Sequence, residues 1–240
     1  TEILNLGQQE RVMAQQPNSR RKSLVGIIPA RIASEEVHAK VLVDLGGKPV
    51  LQHVYERVVA AGVLDDVLIA ADHEQILRVA ESFGAQTFMT GQDHVCGTDR
   101  CAEAARKVFP DADYVINIQA DEPFLHPQMV SLVLAPLLSD SAWDLSTLAC
   151  RCVDAGDRSS PFTVKIAREA STGRALYFSR AVIPYPRYPQ NVSYLQHIGI
   201  YAFRMAGLQR FAALGPSSLE LAEGLEQLRA LEAEMRVKVT

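Results

Sequence analysis

The stretch Leu24-Val25-Gly26-Ile27-Ile28-Pro29-Ala30-Arg31 decides how this chain is read. It is a short apolar, β-branched run bounded by proline, the pattern of a buried strand, and a cation follows at its end. A loop runs from Arg31 to Lys40. Beyond it come Leu42-Val43-Asp44-Leu45, the turn Gly46-Gly47-Lys48-Pro49 and an amphipathic helix over 50–61. The alternation then repeats: a strand at 67–70, a helix from His73 to Phe83, a strand at 86–89, a helix from Thr98 to Val108, and the strand Tyr114-Val115-Ile116-Asn117-Ile118-Gln119. Strands alternating with helices predict a mostly parallel sheet covered on both faces, an α/β fold of the doubly wound, Rossmann-like kind.

After residue 140 the pattern changes. Segments 145–152, 162–167, 175–178 and 197–203 read as strands and suggest a small antiparallel lobe. Between the last two lies Pro184-Tyr185-Pro186-Arg187-Tyr188-Pro189, an irregular loop because proline donates no ladder hydrogen bond. Leucines along Leu219 to Met235 form an apolar helical stripe, with Ser217 or Ser218 as the cap and Glu220 in the first turn. Residues 1–23 have no sustained apolar period and are expected to form a flexible tail, leaving 24–240 as one domain.

Of 240 residues, 48% are hydrophobic and 22% charged, enough for one large core. The net charge of −4 argues against a nucleic-acid binder working through a broad basic surface. No apolar stretch approaches the roughly 20 residues that cross a bilayer, and the N-terminus has no secretory apolar segment. A cytoplasmic protein without a membrane partner is expected. Cys96, Cys101, Cys150 and Cys152 show no zinc-site spacing and receive no role.

Four constellations carry chemistry. The first is the strand end Ala30-Arg31 with its loop to Lys40: ligands of open α/β sheets bind beyond the carboxyl ends of strands, where two cations and loop amides can hold a triphosphate. A merely solvated charged loop reads the same way by spacing alone. The second is Gln119-Ala120-Asp121-Glu122-Pro123, at the same sheet edge. Mg²⁺ takes one or two carboxylates plus phosphate oxygens, which makes Asp121 the metal-ligand candidate; a plain strand-ending turn is the alternative. In the third, Gly97-Thr98-Asp99-Arg100, glycine permits close approach, Thr98 caps the helix, and Arg100 opposes the helix dipole. The fourth comprises Arg180, placed to fork onto a carboxylate, His197, a core histidine by its apolar strand, and Glu226 with Arg229, three apart and readable as a surface pair.

Taken in order, IIPARIAS (27–34) with Lys40, LGGKPVLQHVYERV (45–58), ADHEQI (71–76), GTDR (97–100), VINIQADEP (115–123), ALYFSRAVIPY (175–185), HIGIYAFR (197–204) and LELAEGLEQLRALE (219–232) resemble the 3-deoxy-manno-octulosonate (KDO) cytidylyltransferases. The resemblance covers about residues 25–238. It implies transfer of CMP from CTP to an acidic acceptor with release of pyrophosphate. Its implied CTP contacts are Ala30, Arg31, Ser34 and Lys40, with Gly97, Thr98 and Arg100. Asp121 would hold Mg²⁺, and Gln119, Arg180, His197, Tyr201, Glu226 and Gln227 would line the acceptor pocket. A homodimer built on the 178–204 segment and the tail helix is also implied.

Departures from the family pattern bear on the acceptor. Glu36 stands where the family has a second arginine, and His38 and Ala39 replace its proline and glycine. An anion beside a triphosphate weakens binding unless the loop turns away. Ala120 replaces a glycine and narrows the pocket. The family's second magnesium-binding Asp falls beyond Val239-Thr240, so that carboxylate comes from a following segment or from elsewhere in the fold. The acceptor expected is therefore a KDO-like sugar acid or a smaller acid such as a phosphonate, phosphonoformate included. A catalytically impaired, nucleotide-binding regulator is the alternative. A dinucleotide-binding protein is disfavoured because no G-x-G-x-x-G follows the first strand.

Overall fold

A computed structural model describes residues 21–32 and 40–240. Strand β1 (Leu24–Ala30) lies between β2 (Asp66–Ala71) and β4 (Tyr114–Ile118), parallel to both, and β3 (Gln86–Met89) extends the sheet beyond β2. On the other side β8 (Leu195–Arg204) runs antiparallel to β4, and β5 (Leu145–Arg151) antiparallel to β8. Strand β9 (Val237–Val239) closes that edge parallel to β5. The order is β3-β2-β1-β4-β8-β5-β9, and β8 alone on this path points the other way. The sheet is thus mixed but mostly parallel, as the alternating pattern predicts. The antiparallel pair β6 (Lys165–Arg168) and β7 (Ala175–Ser179) joins this sheet through β8 rather than forming a separate one.

Each face of the sheet has its own core, because successive strand residues point to opposite sides. Ile28 and Ala30 pack with α1 (Val50–Val59), α2 (Glu74–Ser82) and α4 (Gln128–Ser139); Val25 and Ile27 pack with α3 (Gly97–Val108) and α6 (Met205–Ala212). Gly26 admits this packing: a Cβ there would lie 2.7 Å from Leu64 Cδ1. The short α5 (Ala155–Ser159) is capped by Asp154, which accepts the Gly156 and Asp157 amides. Among the described residues no helix is long and apolar enough to cross a membrane.

Three differences from the sequence reading matter. Helices α4 and α6 are not in it; α4 is apolar nearly all round and carries Pro136, so helical period is hard to read there. The expected helix from Leu219 to Met235 is two short ones, α7 (Ser218–Glu223) and α8 (Gln227–Glu232), broken where Gly224 adopts φ +62°. Residues 1–20 of the expected tail lie outside the described residues. Its last members are tied down: Lys22 Nζ donates to Tyr114 Oη at 3.0 Å, and Ser23 N donates to Asp113 at 2.8 Å.

Candidate active site

The parallel pairing of β1 with β4 brings Ala30-Arg31 and Gln119-Ala120-Asp121 to one edge of the sheet. A cavity of about 710 Å³ opens there. Its floor is those two strand ends, one side is the start of α3, and the opposite side is the bend between α7 and α8. Ala30, Arg31, Lys40, Gly97, Arg100, Gln119, Asp121 and Glu226 all face it. Thr98, Arg180, His197, Tyr201 and Gln227 support this wall rather than line it. Ser34, with the Glu35–Ala39 stretch, lies outside the described residues.

Gly97 begins α3, and the helix comes close to the floor at this point. A Cβ on Gly97 would stand 3.3 Å from Pro29 Cγ and 3.7 Å from the Gln119 amide. The cap position belongs to Cys96, which makes no side-chain cap, and not to Thr98 as the sequence suggests. Thr98 turns inward because a better partner exists there. Its hydroxyl donates to Glu226 Oε1 at 2.8 Å and accepts from Asn117 Nδ2 at 2.9 Å, while its amide donates to Glu226 Oε2 at 3.3 Å. Glu226 therefore satisfies a helix start from 128 residues away. Burial pushes the Glu226 carboxyl above the usual range, with hydrogen bonds from Cys96 and Thr98 opposing it.

Arg100 owes its place against the helix dipole to tertiary partners. Its guanidinium donates to Asp72 at 2.7 Å, to the Gly91 carbonyl at 3.2 Å and to the Thr90 hydroxyl, and it is 2% exposed. Arg180, by contrast, forks its guanidinium onto no carboxylate among the described residues. Its guanidinium donates to the carbonyls of Pro161, Glu223 and Gly224 at 2.9, 2.7 and 3.2 Å, and its own amide donates to the Glu223 carboxylate at 2.9 Å.

Behind the cavity, Tyr201 on β8 donates to Gln227 Oε1 at 3.2 Å, and both side chains are buried. The Gln227 Nε2 donor has no hydrogen-bond partner among the described residues. His197 shares a 2.9 Å hydrogen bond with Thr147 and packs against Phe178 and Tyr201. Desolvation pushes its pKa down to about 3, so it stays neutral at physiological pH.

The charges left free for a ligand are few. The side chains of Arg31, Lys40 and Asp121 have no hydrogen bond or ion pair among the described residues, whereas Arg100 and Glu220 are spent on fixed partners. Next to Asp121, the Glu122 carboxyl is raised by desolvation first and then by its neighbour's charge. Among the described residues no three His, Cys, Asp or Glu side chains converge as a metal cluster.

Several contacts that hold the cavity wall escape sequence reading. Arg229 is no surface partner of Glu226: it is 2% exposed and forks onto Glu220 at 2.8 and 2.6 Å, with Asp99 at 2.8 Å. The fully buried Lys165 donates to the carbonyls of Ser160, Thr163 and Arg180 at 2.8, 2.6 and 2.5 Å, which steadies Arg180 from behind. The one local signal for the first of these is Ser217-x-x-Glu220, the capping box that starts α7 and aims Glu220.

Residues 25–237 match the family model described as cytidylyltransferase. The chain is 43% identical to the 3-deoxy-manno-octulosonate cytidylyltransferase of Syntrophobacter fumaroxidans, covering 90% of this chain and 87% of that one. Against the same-named protein of Escherichia coli the identity is 41%, with coverage of 88% and 85%. The solved structure of CMP:2-keto-3-deoxy-manno-octonic acid synthetase complexed with CTP superposes with a TM-score of 0.85 at 39% identity, covering 91% and 89% of the two chains. A 4-diphosphocytidyl-2C-methyl-D-erythritol synthase from Anaerococcus prevotii, 15% identical with a TM-score of 0.58 over 91% and 88% of the two chains, shares the fold alone. With the cavity at the strand ends and this agreement along nearly the whole chain, the protein belongs to the cytidylyltransferase family, CTP-dependent nucleotidyltransferases.

Proposed function

We propose that the protein transfers CMP from CTP to an acidic sugar of the KDO type. An acceptor hydroxyl oxygen attacks the α-phosphorus, the bond from that phosphorus to the bridging oxygen of the β-phosphate breaks, pyrophosphate leaves, and the hydroxyl proton passes to solvent. The observation that carries this reading is one cavity lined by two cations, Arg31 and Lys40, and one carboxylate, Asp121, whose side chains have no partner among the described residues. Such a site works by positioning and charge neutralisation, not by a covalent nucleophile.

Arg31 and Lys40 neutralise the triphosphate, and the close approach at Gly97 sets the nucleotide against the start of α3. Asp121 fits a magnesium site: a cavity-facing carboxylate with no partner among the described residues suits an ion that fills its shell with phosphate oxygens and water. Magnesium, when bound, would offset charge on the phosphates. Gln119 and Glu226, backed by Gln227, Tyr201, His197 and Arg180, form the acceptor side. The exposed Tyr185 and Tyr188, in the 178–204 segment, support a dimer with a second copy.

A smaller acid is a second acceptor reading, supported by Ala120, 5% exposed in the cavity wall, and by the altered 35–39 stretch. Pyrophosphate release with CTP, Mg²⁺ and a panel containing KDO and phosphonoformate tests both. Release with KDO supports the first acceptor and release with phosphonoformate alone supports the second. Silence with every acid overturns the transfer reading.

A further inference from the structure

The bend between α7 and α8 forms one side of the cavity, yet it is made of two helices of six residues each, too short to hold their own geometry. Something else must fix it. The Arg229 guanidinium forks onto both oxygens of Glu220 in α7, donates to Asp99 in the first turn of α3, and stacks over Phe211 at 4.6 Å. One buried cation thus ties three elements across the Gly224 turn. Glu226 then falls where it meets Thr98, and Gln227 where it meets Tyr201. Arg229 itself does not line the cavity.

We propose that Arg229 is a positioning residue, whose tie between Glu220 and Asp99 holds the α7–α8 bend so that Glu226 faces the acceptor and Gln227 backs it against Tyr201. This rests on the proposed transfer reaction for its kinetic consequence, but its structural half stands alone. Lysine cannot replace the fork, because a point charge cannot serve two oxygens of Glu220 and Asp99 in fixed directions. Removing the arginine alone strands two carboxylates in a buried place, and the chain then risks unfolding. A variant that also replaces Glu220 by an apolar side chain leaves only the part-exposed Asp99 without its cation.

The test uses Arg229→Lys and the double variant Arg229→Met/Glu220→Leu, each checked for folding by thermal melting. The reporter independent of activity is Cys96, whose thiol sits 3.7 Å from Arg229 and is held protonated by burial and by Glu226. Site-resolved alkylation of Cys96 by iodoacetamide should speed up by about tenfold in the double variant once the bend loosens, a population effect of ordinary size for local opening. In the steady state, KM for the acceptor should rise by roughly tenfold in both variants while CTP affinity by calorimetry changes less than about threefold. Wild-type alkylation of Cys96 in the folded variants overturns the proposal, whatever the reaction. Faster alkylation with no CMP transfer by the wild-type protein leaves the structural tie standing and rejects the transfer reading instead.

Discussion

The carboxylate of Glu226 accepts the Thr98 hydroxyl at 2.8 Å, joining the bend after α7 to the first turn of α3. Asn117 on β4 donates to the same hydroxyl, so three distant elements meet at one oxygen. Thr98→Val keeps the shape but leaves the Asn117 donor unsatisfied and takes one donor away from Glu226. The expected cost is about 1–3 kcal/mol, read as a lower melting temperature. Thr98→Ser should recover most of that loss, because it restores the hydroxyl.

Asp121 contributes nothing to the described fold: it is exposed and makes no hydrogen bond. Asp121→Asn is therefore expected to melt within about 0.5 kcal/mol of wild type, as surface substitutions do. Pyrophosphate release should nevertheless disappear. Retained turnover at saturating Mg²⁺ would remove Asp121 from the metal site.

Gly97 is fixed by space and not by backbone angle. A methyl group at this position stands 3.3 Å from Pro29 and 3.7 Å from Gln119, so Gly97→Ala must shift the start of α3 by a few tenths of an ångström. About 1 kcal/mol of destabilisation follows from such overpacking. A weaker CTP affinity in calorimetry, with the acceptor KM less affected, is the expected signature.

His197 predicts a stability slope with pH. Its folded pKa, down at about 3, lies below the ordinary histidine value near 6.5. Between those values the unfolded chain binds the proton and the folded one does not, so stability rises with pH across the window. It is lost as pH falls from about 6.5 towards 3, by up to about 1.4 kcal/mol per pH unit. His197→Gln, which can still meet Thr147, should show a flatter melting profile between pH 6.5 and 4.5. Equal slopes for the two proteins would count against a desolvated neutral imidazole.

The doubly wound half was legible because each of its elements carries its own signal. Buried strands such as 24–30 and 114–118 are continuous apolar runs, and α1, α2 and α3 repeat apolar residues at helical spacing. Arg31, Lys40, Gly97, Asp121 and Gln119 were legible for a related reason: parallel strands deliver their carboxyl ends, and the loops after them, to one edge. Where partners are distant, that logic stops. Nothing local in Arg100 points to Asp72, nor in Arg229 to Asp99, and an uninterrupted leucine stripe conceals the turn at Gly224. The sequence by itself thus determined the layer architecture and the edge where the cavity opens, since both follow from local periodicity and strand direction. Tertiary structure alone decided which charges are spent on partners and which stay free for a ligand, because pairing across 130 residues depends on packing and not on spacing.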